Sequence, residues 1–154
     1  MSDKTLTGRP FRLLQMLYEK GKPTTVYSVR MKQKELAQQL GISRQALNAH
    51  LRKLRDPCYI RTGRGFIDVT EKGLNMLGIS VNPAFIFIKV SPFKRLEAYQ
   101  KMDKLPVQRM FRVAGDMDAV LIVERHKLEG TLKQLSSVEG IQETRSYITI
   151  QALK

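Results

Sequence analysis

The sequence predicts an α+β fold in two domains, residues 1–78 and 84–154, from three observations. Between Lys34 and Leu54, KELAQQLGISRQALNAHLRKL, two runs of helical periodicity flank a glycine. Just downstream, Tyr59-Ile60-Arg61 and Phe66-Ile67-Asp68-Val69 flank Thr62-Gly63-Arg64-Gly65, a hairpin pattern with turn residues at its tip. From Ala84 onward the apolar spacing alternates between period two and helical in the order βαββαβ.

Met1 to Thr7 is polar and expected to fray. Pro10 suits the first turn of a helix carrying Leu13, Leu14, Leu17 and Tyr18, which Gly21, Lys22 and Pro23 stop. Thr24 to Val29 is β-branched and aromatic and reads as a short strand. Met31 and Lys32 then stand where a Ser, Thr or Asp cap is expected for the next helix. That helix has Leu36, Ala37 and Leu40 as its apolar stripe and ends at Gly41, a residue free to take positive φ. Ser43 caps the following helix, whose Leu47, Leu51 and Leu54 require burial.

The reading is a helix-turn-helix. The polar face of its second helix carries Arg44, Gln45, Asn48, Arg52 and Lys53, side chains of the types that hydrogen-bond base edges and phosphates in the major groove. Lys34 and Ser43, near the starts of the two helices, complete the expected set on the motif that contacts double-stranded DNA. The plainer reading is an amphipathic hairpin with a solvated basic face. The coincidence of a small Ala37, Gly41 in the turn, a Ser43 cap and a donor-rich second helix in one window favours DNA.

Asp56 and Pro57 break the recognition helix. The hairpin after them presents Arg61 and Arg64 at a glycine-rich tip, placed to reach a phosphate or the minor groove as a wing. An exposed hairpin with incidental arginines is the alternative. Thr70 caps a short helix with Glu71 in its first turn and Leu74 and Leu77 facing inward. Helix, strand, KELAQQLGISRQALNAHLRKL, wing and TEKGLNMLG together resemble the winged helix-turn-helix of prokaryotic transcription regulators, in an order closest to Crp-type domains.

Gly78 to Pro83 interrupts two apolar segments and marks the domain boundary. Ala84 to Val90 reads as a strand, and Phe93 to Lys104 as a helix with Leu96, Tyr99 and Met102 to Leu105. Val107 to Val113 and Ala119 to Val123 read as strands around Gly115. Leu128, Leu132 and Leu135 mark a helix ended by Val138 and Gly140, and Arg145 to Ile150 alternates as a closing strand. This is the ferredoxin-like arrangement. The first strand is apolar on both faces, Ala84, Ile86, Ile88 and Val90 on one and Phe85 and Phe87 on the other, yet two helices cover only one face. A second copy covering the other predicts a homodimer; the alternative cover is the N-terminal domain.

VAGDMDAVLIV, residues 113–123, resembles the segment between the middle strands of Lrp/AsnC effector domains, with Gly115, Asp116 and Asp118 matching and Met117 replacing the usual aromatic. The resemblance implies dimers through the sheets, further assembly, and small effectors such as amino acids bound near this loop. Chemically, Gly115 amides suit a carboxylate and Asp116 or Asp118 an amine, so these three are the expected effector-binding residues. A plain turn favours the same residues for backbone reasons.

Composition agrees with this division. Residues 1–80 hold 15 Lys and Arg against 6 Asp and Glu and residues 81–154 hold 12 against 8, so +9 of the net +13 lies with the helix-turn-helix. No stretch is apolar enough to span a bilayer and the N-terminus lacks a signal-peptide core, which predicts a cytoplasmic protein without membrane partners. Cys58 has no internal disulfide partner, and with His50 and His126 it makes no metal-ligand spacing. No phosphate loop or catalytic constellation is present, so neither an enzyme nor a cofactor is expected. RNA binding is the runner-up to DNA-dependent regulation. Phe85 and Phe87 on a ferredoxin-like sheet support it, and the lack of an aromatic in Ala119 to Val123 opposes it.

Overall fold

The structure, a computed structural model, describes residues 6–153; residues 1–5 of the tail expected to fray lie outside them. The chain divides into two compact units, Met1–Gly73 and Leu74–Lys154.

The first unit opens with α1 (Gly8–Lys20) and β1 (Tyr27–Val29), followed by α2 (Gln33–Leu40) and α3 (Arg44–Arg55). A hairpin of β2 (Ile60–Gly63) and β3 (Phe66–Val69) follows, and α4 (Glu71–Met76) runs across the division between the units. Strand β3 lies between β1 and β2, antiparallel to both. The core consists of Ala37, Leu47, Leu51, Ile60 and Ile67, with Leu36 and Ile42 packed at its margin. Helix α2 has Lys32 at its cap position with no side-chain bond, as the residue types there predict. Thr70 caps α4 through a bond from the Gly73 amide at 3.2 Å, and the Glu71 carboxylate accepts from the Thr25 amide at 2.8 Å.

Several apolar residues expected in the core lie outside it. Leu77 is 68% exposed, while Leu74 is buried as expected. Leu40 and Leu54, at the ends of their helices, are 58% and 43% exposed. Helix α1 forms where periodicity places it, yet buries none of its residues: Phe11, Leu13, Leu14, Leu17 and Tyr18 are all exposed. Periodicity identifies which residues share a face; whether a second surface closes over that face is a separate matter.

The second unit has strands β4 (Ala84–Val90), β5 (Arg109–Arg112), β6 (Ala119–Val123) and β7 (Ile141–Ile148), with helices α5 (Arg95–Met102) and α6 (Leu128–Leu135). The antiparallel sheet order is β5-β6-β4-β7, which is the βαββαβ ferredoxin-like arrangement. Ala84, Ile86, Ile88 and Val90 are buried and alternate with Phe85, Phe87 and Lys89, and Ile86, Ile88 and Val90 join Ala119, Leu121 and Val123 against Ala98, Met102 and Leu135. The other face carries Phe85, Phe87, Val120, Ile122, Phe111 and Tyr147, all less than fully buried; the Phe87 and Tyr147 rings meet edge to face at 5.6 Å. Strand β7 starts at Ile141 rather than Arg145 and ends at Ile148 rather than Ile150. The polar Gln142, Glu143 and Thr144 mask it in sequence, because an edge strand pairs through its backbone and leaves its side chains wet. Beyond Ile148, Thr149 gives both amide and hydroxyl to the Pro83 carbonyl.

Gly73 shows how tightly α4 is seated. A Cβ there would lie 2.3 Å from the Tyr59 carbonyl oxygen, an acceptor already held by the Thr70 amide at 3.0 Å. Gly73→Ala is expected to destabilise the first unit by about 1–3 kcal/mol, read as a lower midpoint in thermal or denaturant unfolding.

Candidate nucleic-acid interface

The geometry of α3 follows from its first turn. Gly41 takes φ 66°, where its lack of a Cβ removes the steric penalty. The Gly41 amide donates to Gln38 and that of Ile42 to Ala37, closing α2. Ser43 then enters in extended conformation and its hydroxyl accepts from the Ala46 amide at 3.1 Å. Leu47, 2% exposed, and Leu51 lock the helix against Ala37, Ile60 and Ile67, and burying each leucine contributes roughly 1.5–3 kcal/mol.

With that face fixed, Arg44, Gln45, Asn48, Arg52 and Lys53 are all exposed. Arg44, Asn48 and Arg52 form a stripe at i, i+4 and i+8, with Gln45 and Lys53 to one side. Among the described residues none of these cations is ion-paired, so their donors face solvent. Lys34 is exposed near the start of α2, and the Ser43 hydroxyl is taken by its cap.

The two wing arginines differ. Gly63 pairs with Phe66, so Arg64 and Gly65 form a two-residue turn in which Gly65 takes φ 83°, and Arg64 is exposed at the tip. Arg61 instead lies 3.6 Å from Asp68, a buried carboxylate that also accepts from the Ser28 hydroxyl. Two further arginines belong here that sequence reasoning missed. Arg55 donates to the Thr62 hydroxyl at 3.3 Å, joining the end of α3 to the wing strand. Arg30 lines a cleft of about 490 Å³ with Ser28, Arg64, Gly65, Phe66 and Asp68. Its only signal in sequence is a basic run of alternate residues, Arg30, Lys32 and Lys34.

In the second unit, the structure separates the two carboxylates of the loop after β5. Asp118 is turned inward: one oxygen accepts from the Val90 amide at 2.8 Å and the other from Arg95 Nη2 at 2.9 Å. Asp116 is exposed, 3.5 Å from the Lys89 ammonium and 4.0 Å from Arg145. A hydrogen bond and the charge of Glu143 push the Arg145 guanidinium further above its ordinary value, so it stays cationic. Gly115, at φ 141°, lines a cleft of about 440 Å³ with Arg95, Arg112, Val113, Ala114 and Asp118. The Arg112 guanidinium sits 5.8 Å over the Tyr99 ring. Among the described residues no cluster has the composition of a metal site.

Residues 9–74 match the Crp-like helix-turn-helix domain. The fold as a whole is similar to that of a solved transcriptional regulator. Transcriptional regulator NMB0573 of Neisseria meningitidis, solved as its complex with L-methionine, aligns at 22% identity over 97% of this chain and 93% of its own, with a TM-score of 0.51. AsnC of E. coli aligns at 22% identity over 92% and 90%, with a TM-score of 0.48. A curated relative, the uncharacterized protein MJ0558 of Methanocaldococcus jannaschii, is 50% identical over 48 residues. That match covers 30% of this chain and 18% of the relative's length.

Asp118→Ala leaves the Val90 amide and the partly buried Arg95 without their acceptor, and is expected to cost about 1–3 kcal/mol in stability. Asp116→Ala, on an exposed pair, is expected to cost less than about 1 kcal/mol. Thermal unfolding of the two variants side by side measures the difference.

Proposed function

We propose that the chain is a homodimeric, sequence-specific DNA-binding transcription regulator of the cytoplasm, in which residues up to about Gly78 read DNA and the remainder dimerises and takes a small-molecule effector. The observation that carries the reading is the exposed, unpaired donor face of α3 beside a wing tipped by Arg64. Recognition divides between them. Side chains on α3 present bidentate donors and acceptors to base edges, and the wing supplies charge to the backbone. Homodimerisation is supported by the open sheet face of Phe85, Phe87, Val120 and Ile122, which buries well only against another apolar surface.

The effector reading rests on the cleft at Gly115, where Arg112, in no ion pair among the described residues, suits a carboxylate while Arg95 is held by Asp118. Because Asp118 is engaged internally, Asp116, held only by exposed pairs with Lys89 and Arg145 and not itself lining the cleft, is the carboxylate for which an amine would compete. The L-methionine in the Neisseria regulator's complex makes amino acids the first compounds to screen. RNA binding is the second reading: Phe111 and Tyr147 extend the aromatic row of Phe85 and Phe87 on the open face, although β6 between them offers none. Competition between a cognate duplex and single-stranded RNA separates the two.

Footprinting is expected to show an imperfect palindrome with half-sites about 10 bp, or a multiple, apart, since both recognition helices must enter one side of the duplex. Full-affinity protection of a lone half-site by a monomer contradicts the proposal. Asn48→Ala and Arg52→Ala are each expected to lose about 1–3 kcal/mol of discrimination at one position of the site, measured against a panel of single-base variants. Phe87→Asp, in the middle of the open face, is expected to give monomers in sedimentation and to abolish high-affinity operator binding while the N-terminal unit stays folded.

A further inference from the structure

We propose that the cleft between β1 and the wing seats a single backbone phosphate of bound DNA, with Arg30 and Arg64 as its two cationic walls. The inference rests on the DNA-binding reading and adds a residue that belongs to neither the helix-turn-helix nor the hairpin. Arg30 follows the last residue of β1, a strand held at the edge of the sheet by its pairing with β3, so its position is set by the ladder and not by a loose tail. Arg64 reaches the same cleft from the two-residue turn, whose geometry Gly65 fixes at positive φ. Both arginines are exposed, and neither meets a carboxylate within ion-pair distance among the described residues.

The floor of the cleft explains why an anion is accepted there. Asp68 is the one acidic residue lining it, and its charge is already met by the Ser28 hydroxyl and the Arg61 guanidinium. Three arginines against one carboxylate leave two positive charges in excess, facing a concave polar surface with the Gly65 backbone at its edge. A phosphodiester oxygen fits this chemistry: guanidinium groups bind phosphate bidentately, and such contacts position a protein on the duplex without reading bases. Arg61 becomes a positioning residue, its guanidinium offsetting the Asp68 carboxylate instead of touching the phosphate.

The test uses the full chain and a duplex carrying its site. For each variant, log Kobs is plotted against log[salt] for the cognate sequence and a scrambled one, with Asn48→Ala as an internal reference. Arg30→Ala is expected to reduce the salt slope by about 1 and to weaken both sequences equally, with Arg30→Lys restoring most of the slope. Replacing phosphates one at a time with neutral methylphosphonates is expected to reveal one position whose neutralisation weakens the wild type but leaves Arg30→Ala unaffected. An unchanged slope in Arg30→Ala overturns the proposal, as does a loss confined to the cognate sequence, which makes Arg30 a base reader. Unfolding midpoints of the variants identify any slope change caused by misfolding. If the wild type binds no duplex, the DNA reading itself falls; if Asn48→Ala relaxes specificity while Arg30→Ala does nothing, only the phosphate seat falls.

Discussion

The burial of Leu47 and Leu51 against Ala37, Ile60 and Ile67 is the contact on which the N-terminal unit depends. Two leucines one turn apart set the rotation of α3 about its own axis, and that rotation alone decides which side chains point outward. A shift of this face by one residue toward the C-terminus would bring Asn48 and Arg52 into the core in place of Leu47 and Leu51, at the desolvation cost of an amide and a charge. The same contact recruits the wing, because Ile60 opens β2 and Ile67 lies on β3. Reading head and wing are thus parts of one small core, joined again at the surface by Arg55 and Thr62.

A comparable economy governs the second unit. Strict alternation along β4 and β6 sends one set of side chains into the helices and leaves the other uncovered. The loop between β5 and β6 is held to this sheet by Asp118, which reaches the backbone of β4 at Val90 and the first residue of α5 at Arg95. A carboxylate that its sequence neighbours offer to a ligand instead joins a strand, a helix and a loop. Gly115 and Arg112 line a cleft beside this joint.

Charge is distributed in keeping with this division. Of the two units, the one with the exposed α3 face carries most of the excess cations, and several of these lie within reach of the wing. Where a basic side chain is needed for structure it is paired: Arg61 with Asp68, Arg95 with Asp118, Arg145 with Glu143. Arg44 and Arg52 of α3 and Arg64 at the wing tip have no such pairing among the described residues.

The sequence by itself determined the order of elements, the turn at Gly41, the Ser43 cap, the hairpin around Arg64 and the alternation of β4. Each is a local property, written in the spacing of apolar residues or in the backbone freedom of glycine. It also placed Arg44, Gln45, Asn48 and Arg52 on one polar face, because helical geometry needs no tertiary information to do so. Only the tertiary structure decided that Leu40, Leu54 and the stripe of α1 stay exposed, since burial depends on what lies opposite. It alone brought Arg30 to the wing, by pairing β1 with a strand about 40 residues further on. It alone turned Asp118 inward and left Asp116 out, and it extended β7 through polar residues that no periodicity marks. The physical reason is the same in each case: these outcomes rest on hydrogen bonds and contacts between residues far apart in the chain, whose partners cannot be named until the sheets are assembled.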